Sequence, residues 1–272
     1  AEAIRELARE MAAAKSAVCY SRMGASTQSF GGLCQWLNNV LNILTGNFDS
    51  RGGAMFPQPA FDLVRDKKGK PSSYGRYESR VRKLPYFNNE FPVATLADEI
   101  LTPGEGQIRA MITIAGNPVL SAPGGARLED AFDALDFMVS VDYYLNETTR
   151  HADVILPPTA GLERSHYDLI FSMFAVRNTA KYSPALFDAG KDARHDWQIL
   201  LELAHRLEKK RKGGRLPLRS EMGWRAFKQI GPDPILDLML RAGPYGTDIG
   251  PARGLVQPAI DLVMDILPER HP

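Results

Sequence analysis

Four apolar runs, each closed by a glycine-bearing, polar or proline-containing loop, limit what this chain can fold into. They read AVCY at 17–20, IRAMITIA at 108–115, FMVSV at 137–141 and VIL at 154–156. The residues that follow are SRMG, GNP, DYY and the double proline Pro157–Pro158. Helical patterns separate the runs: 33–44 reads LCQWLNNVLNIL with Gly46 placed as its C-cap, and further helices are expected near 95–101 and 128–135. Strands alternating with helices imply an α/β fold, a doubly wound and mainly parallel sheet flanked by helices. Ligands of such sheets collect at the carboxyl ends of the strands, which points to a nucleotide-type ligand here.

The strand-end loops carry residues suited to that task. Glycine lets backbone N–H groups approach a pyrophosphate, as Gly24 and Gly116 could, and an acid at the end of a later strand, Asp142, can accept bonds from a ribose or a guanine. Each residue also has a plain reading. Asp142 could cap its own turn, and Asn117 could either bond a ligand or tie an Asx-turn before Pro118.

The chain has 272 residues, 44% hydrophobic and 24% charged, with a net charge of +1. That is enough to bury a sizeable core, and the near-neutral balance argues against nucleic acid or a membrane surface as partner. No apolar run is long enough to span a bilayer, so no membrane insertion is expected. The two cysteines, Cys19 and Cys34, have no C-x-x-C spacing. They read as core thiols in a reducing, cytoplasmic setting rather than as metal ligands. Lone loop histidines, His151 and His166, are expected to be solvated, and His195 to stand beside a helix N-terminus; none has metal-ligand spacing. The N-terminal stretch AEAIRELAREMAAAK is an amphipathic helix without signal-peptide features, and it suggests a segment of a longer chain. Residues 49–92 form a long irregular insertion, either functional or poorly ordered.

Taken in order, RMGASTQSFG, LNILTGN, GNP, VSVDYYLNETTRHADVILPPTAGLER and ARHDWQILLELAHRL resemble the molybdopterin oxidoreductases that carry two molybdopterin guanine dinucleotides, the formate dehydrogenase, nitrate reductase and dimethyl sulfoxide reductase type. The resemblance covers most of 1–207 and implies a dinucleotide-binding α/β domain there, with 208–272 a helical connecting extension. It implies an enzyme as the full-length parent, with one molybdopterin guanine dinucleotide of a bis-molybdopterin molybdenum centre held by this segment. Met23 and Gln28, beside Gly24, match pterin-side contacts, although the loop is one residue longer than in relatives. Asn117, next to Gly116, matches an asparagine near the cofactor, Asp142 the acid that reads guanine or its ribose, Arg164 a basic residue after the LPP turn, and Asp196 the acid before the last helix.

His166 stands where relatives often carry glycine. Neither the family's N-terminal cysteine cluster nor its molybdenum ligand is recognisable, so no catalytic and no metal-binding residue is expected in this segment. An iron–sulfur cluster is expected in the part preceding it, and its partners are expected to be the remaining domains of the parent and an electron-transfer subunit. In the ADVILP block the strand VIL is expected to be core, with Asp153 holding the loop that follows Asp142. The other reading is a free-standing regulatory nucleotide-binding module without redox activity. Beyond 207, Lys209–Lys210–Arg211–Lys212 before Gly213 reads as a basic helix end, and LVQPAIDLVMDILPE at 255–269 as short helices.

Overall fold

A computed structural model describes residues 1–61, 74–87 and 90–246. The chain divides into two units, Ala1–Asp62 with Leu169–Ala180, and Leu63–Asp168 with Lys181–Pro272.

The first unit opens with helix α1, Glu2–Ala13, whose exposed surface is laced by Glu2 pairing with Arg5 and Arg9. A four-residue helix α2, Met23–Ser26, precedes α3, Gly31–Leu44. Helix α3 ends as its sequence predicts. Gly46 takes φ +70°, a left-handed value natural to glycine, and the N–H groups of Gly46 and Asn47 bond back to Ile43 and Asn42 carbonyls at 3.1 and 2.8 Å.

The expected strand at 17–20 does not form. Those residues pair with side chains instead of a neighbouring strand: Asn42 Oδ1 accepts the Cys19 N–H at 2.8 Å and Asn42 Nδ2 donates to the Cys19 carbonyl at 2.9 Å. Asn47 Oδ1 accepts the Ala17 N–H at 3.1 Å, and Asn38 Nδ2 donates to Ser21 Oγ. Asn38 and Asn42, one helical turn apart, lie on the same face of α3, so the helix supplies the bonds a strand partner would have made. Both thiols are half-buried rather than core, and Cys19 Sγ donates to Asn38 Oδ1 at 3.2 Å.

In the second unit, α4 (Leu96–Leu101) leads to strand β1 (Ala110–Ile114), short α5 (Pro118–Ser121), α6 (Gly125–Asp133), β2 (Phe137–Val141) and β3 (Val154–Ile155). The three strands are parallel in the order β1-β2-β3, as the alternating pattern requires. In register, Met111 pairs with Met138 and Thr113 with Ser140, and this face meets the helices. Met138 joins Ala97, Ile100, Val119, Leu128, Ala131 and Phe132 in the core. Thr113 and Ser140 satisfy each other inside it, Oγ to Oγ at 2.7 Å.

The opposite face carries Ile112, Ile114, Phe137 and Val154, which are 43%, 52%, 47% and 39% exposed, while Val139 and Val141 on the same face are buried. The run VIL is therefore not the buried strand expected: Val154 is exposed and Ile155 and Leu156 are half-buried. Among the described residues β3 pairs with β2 alone, Pro157 and Pro158 follow it within two residues, and Val154 is exposed. Asp153 is structural but works elsewhere than expected: it binds the backbone of Met138 in β2.

Part of the long insertion is firmly held. Arg80 Nη2 donates to the carbonyls of Thr102 and Glu99 at 2.6 and 3.2 Å, the Val81 N–H reaches Glu99 Oε1 at 2.9 Å, and Tyr86 is buried against Tyr77. Residues 62–73 and 88–89 of the insertion lie outside the described residues.

A two-stranded antiparallel ladder, β4 (His166–Tyr167) with β5 (Tyr182–Ser183), is followed by α7 (Asp196–Arg211), α8 (Leu218–Ile230) and α9 (Pro232–Ala242). Trp224 of α8 is 4% exposed, donates to Glu208 of α7 at 3.1 Å and lies against the His205 ring. Asp233 of α9 accepts from Ser165 and Tyr182 at 2.8 and 3.2 Å, which ties the helical extension to the ladder. The basic end of α7 closes on Gly213 and Gly214, both with positive φ, as expected. The stretch LVQPAIDLVMDILPE lies outside the described residues.

Candidate cofactor-binding site

Ile114 pairs with Val141, so the loops after β1 and β2 leave the sheet side by side. Ala115 extends that ladder by one bond, its N–H to the Val141 carbonyl at 3.0 Å, and takes φ +49°. A left-handed alanine costs about 1–2 kcal/mol and persists only where its surroundings hold it. What holds it is polar. Asn117 Nδ2 donates to Glu147 Oε2 at 2.8 Å, and Thr148 Oγ1 donates to Asn117 Oδ1 at 2.7 Å while accepting the Val119 N–H at 3.2 Å.

Asn146 Oδ1 accepts the N–H groups of Thr148 and Thr149 at 3.0 and 2.9 Å, and Thr149 Oγ1 donates to the Tyr144 carbonyl at 2.8 Å. Thr148 and Thr149 are fully buried. The Asn117 side chain thus makes no Asx-turn; it joins the two loops. The amide of Asn117, then a backbone bond of Glu147 itself and the nearby Arg150 charge, hold the Glu147 carboxyl below its ordinary range.

Asp142 stands at the end of β2. Its Oδ1 accepts the Tyr144 N–H at 2.9 Å, the turn cap that its sequence position allowed, while Oδ2 has no partner among the described residues. Tyr143 and Tyr144 follow, exposed, with their ring centroids 4.7 Å apart. The N–H groups of Gly116 and Asn117 are likewise unbonded among the described residues. An added Cβ at Gly116 would meet only Ile114 O at 3.7 Å and Pro118 Cδ at 4.0 Å. Free N–H donors, an unshared carboxylate oxygen and open space thus stand at the ends of two adjacent strands, a combination able to bond a polar ligand.

Arg164 and Asp196 are brought together by an ion pair between Nη1 and Oδ2, and Asp196 Oδ1 accepts the Trp197 N–H at 2.8 Å. His195 is the N-cap of α7, as expected, and its Nδ1 lies 2.8 Å from Oγ1 of the buried Thr159. His166 is exposed in β4. His151 is not the solvated loop histidine expected: its side chain is 8% exposed, with Nδ1 2.7 Å from Asp133 Oδ1 and its ring edge-on to Phe132.

Met23, Gly24 and Gln28 belong to the first unit. Met23 and Gly24 form the start of α2 rather than a glycine loop after a strand, because no strand precedes them. Met23 is 67% exposed, Gln28 Nε2 donates to the Gly24 carbonyl at 3.0 Å, and an added Cβ on Gly24 meets nothing within 4 Å. Sequence reasoning missed Asn146, Glu147 and Thr148. Their signal was the run NETT between two strands, residues that bond locally to backbone and so build loops.

A separate depression of ≈ 420 Å³ lies past the end of β3, floored by Leu156, Ile199 and Leu203. Its Glu202 already engages Arg206 and Lys228, so most of the charge around it is spent internally.

The molybdopterin oxidoreductase family profile matches residues 5–206. The assimilatory nitrate reductase catalytic subunit of Bacillus subtilis is 33% identical over 107 residues, 39% of this chain and 14% of that protein. The trimethylamine-N-oxide reductase of Haemophilus influenzae is 25% identical over 229 residues, 76% of this chain and 27% of the relative. The F420-dependent formate dehydrogenase 2 subunit alpha of Methanococcus maripaludis is 27% identical over 222 residues, again 76% of this chain and 31% of the relative. The chain thus spans less than a third of the length of these relatives. Members of the family use a molybdenum–pterin cofactor, and the strand-end loops of the second unit have donors and acceptors suited to such a group. The profile covers well over half of the chain, and the chain belongs to the molybdopterin oxidoreductase family.

Proposed function

We propose that this chain is the cofactor-holding α/β part of a molybdenum oxidoreductase and that it binds one molybdopterin guanine dinucleotide at strand-end loops. The binding part is 1–207, and 208–272 connects it to further segments of a longer parent. The observation that carries the reading is the pairing of Asp142, with one carboxylate oxygen unshared, and the unbonded N–H groups of Gly116 and Asn117 on adjacent strand ends. A carboxylate facing the N1–H and 2-amino groups of guanine accepts both, and backbone N–H groups suit phosphate oxygens.

Arg164 keeps guanidinium donors beyond the one given to Asp196 and offers them to phosphate, with Asp196 fixing its position. Met23, Gly24 and Gln28 are assigned to the pterin side on the resemblance of their loop alone. When bound, the cofactor supplies the molybdenum at which two-electron chemistry occurs, while the protein binds and orients it. An iron–sulfur cluster, the molybdenum ligand and an electron-transfer partner belong to other segments or subunits in this reading, and the setting is cytoplasmic.

The test is Asp142→Ala in the full-length enzyme. Molybdenum and released guanine nucleotide per protein are expected to fall together, and unchanged content of both overturns the assignment.

A further inference from the structure

The polar tie between the two strand-end loops carries an inference that rests on the reading above. We propose that Glu147 is a positioning residue of this site: its carboxylate dictates which way the Asn117 amide points, and so sets the donor and acceptor that Asn117 offers to a cofactor.

Thr148 Oγ1 accepts the Val119 N–H and donates its own proton to Asn117 Oδ1; with a second lone pair to spare it follows the amide rather than directing it. At the other end an ionised carboxylate can only accept, so Asn117 must turn its NH₂ toward Glu147 Oε2. A flipped amide would set Oδ1 against the carboxylate, two acceptors with no proton between them, whereas the Thr148 hydroxyl could serve either orientation. Glu147 therefore selects the observed orientation, and Thr148 completes it. That orientation leaves one Nδ2–H and one Oδ1 lone pair of Asn117 in fixed directions, beside the unbonded N–H groups of Gly116 and Asn117.

The two partners also lock the left-handed Ala115 from outside, because the loop after β2 that carries them is itself fixed by Asn146 and the buried Thr149. Asn117 alone is thus an adaptable amide. With Glu147 and Thr148 it is a directed one.

The experiment compares Glu147→Ala, Glu147→Gln, Asn117→Ala, the double variant Glu147→Ala/Asn117→Ala, Thr148→Ser and Thr148→Val in the full-length enzyme, with Asp142→Ala alongside. The readouts are molybdenum per protein, the rate at which pterin is released on incubation, and the melting temperature of cofactor-free protein. Glu147→Ala is expected to release pterin about tenfold faster, the size of one charge-assisted hydrogen bond. Glu147→Gln, which can still accept but no longer forbids the flip, should fall between it and wild type. Thr148→Ser should behave as wild type and Thr148→Val as Glu147→Ala.

The double variant should be no worse than Asn117→Ala, since Glu147 acts through that amide. Independent, multiplying losses in the double variant overturn the proposal, as does wild-type release from Glu147→Ala while Asp142→Ala loses cofactor. If Asp142→Ala retains full molybdenum and guanine nucleotide, the binding assignment itself falls. Where Glu147→Ala does not fold, Glu147→Gln and the Thr148 pair decide: wild-type release from both Glu147→Gln and Thr148→Val rejects the role.

Discussion

Asp153 grips Met138 twice: its carboxylate Oδ2 accepts the Met138 N–H at 2.7 Å, and its own N–H donates to the Met138 carbonyl at 2.9 Å. The side chain thereby substitutes for a strand residue that β3 is too short to supply, at the point where β2 turns into the core. Asp153→Ala should lower stability by about 1–2 kcal/mol through the unpaired Met138 N–H, and Asp153→Asn by less, since its carbonyl can still accept. Chemical denaturation of the two variants beside wild type measures the difference.

Asn42 is 1% exposed and supplies both bonds to the Cys19 backbone. Asn42→Ala should cost about 2–3 kcal/mol, because it leaves two partly buried backbone groups unpaired. It should also free the segment around Cys19. Faster labelling of Cys19 by a thiol reagent, with Cys34 on α3 as the internal reference, reads that release directly.

Ala115 sits at φ +49°. Ala115→Gly should be neutral to stabilising by about 0.5–1 kcal/mol, the relief of a left-handed side chain less the extra freedom glycine has when unfolded. Ala115→Val should destabilise by about 2 kcal/mol, because a β-branched residue fits that region worst. Thermal melts that ranked valine above glycine would show that the loop reshapes instead.

Glu202 is held below its ordinary range by the bond from Arg206 first and by Lys228 second. A carboxyl lowered in the folded state stabilises the fold above its ordinary value of 4.5 and loses that contribution as pH falls through the folded value. Unfolding midpoints measured from pH 6 down to pH 3 should therefore fall more steeply in wild type than in Glu202→Gln. The effect is small, since the side chain is 38% exposed and solvent screens it.

The readability of this chain from its sequence follows how local each signal is. Strand β2 is found where its apolar run, closed by Asp142, places it, and the close of α3 follows from Gly46 alone, because a left-handed C-cap needs only that residue. AVCY has strand composition, yet its bonding is decided by Asn38 and Asn42 of α3 and by Asn47 just past the end of that helix, and no local pattern reveals that. His151 reads as loop but is buried by Asp133 and Phe132, which the crossover brings back from α6.

Asp142 was legible as a strand-end acid. Glu147, in the same loop, was not, because its role depends on an amide thirty residues earlier that only the parallel register puts within reach.

The face of the sheet bearing Ile112, Ile114, Phe137 and Val154 has a practical consequence for anyone handling these 272 residues. Parallel sheets are stable when both faces are dry, and an apolar face left partly exposed is adhesive. Concentrating the chain alone drives these faces together, so its apparent size in solution should grow with concentration and shrink with mild non-ionic detergent.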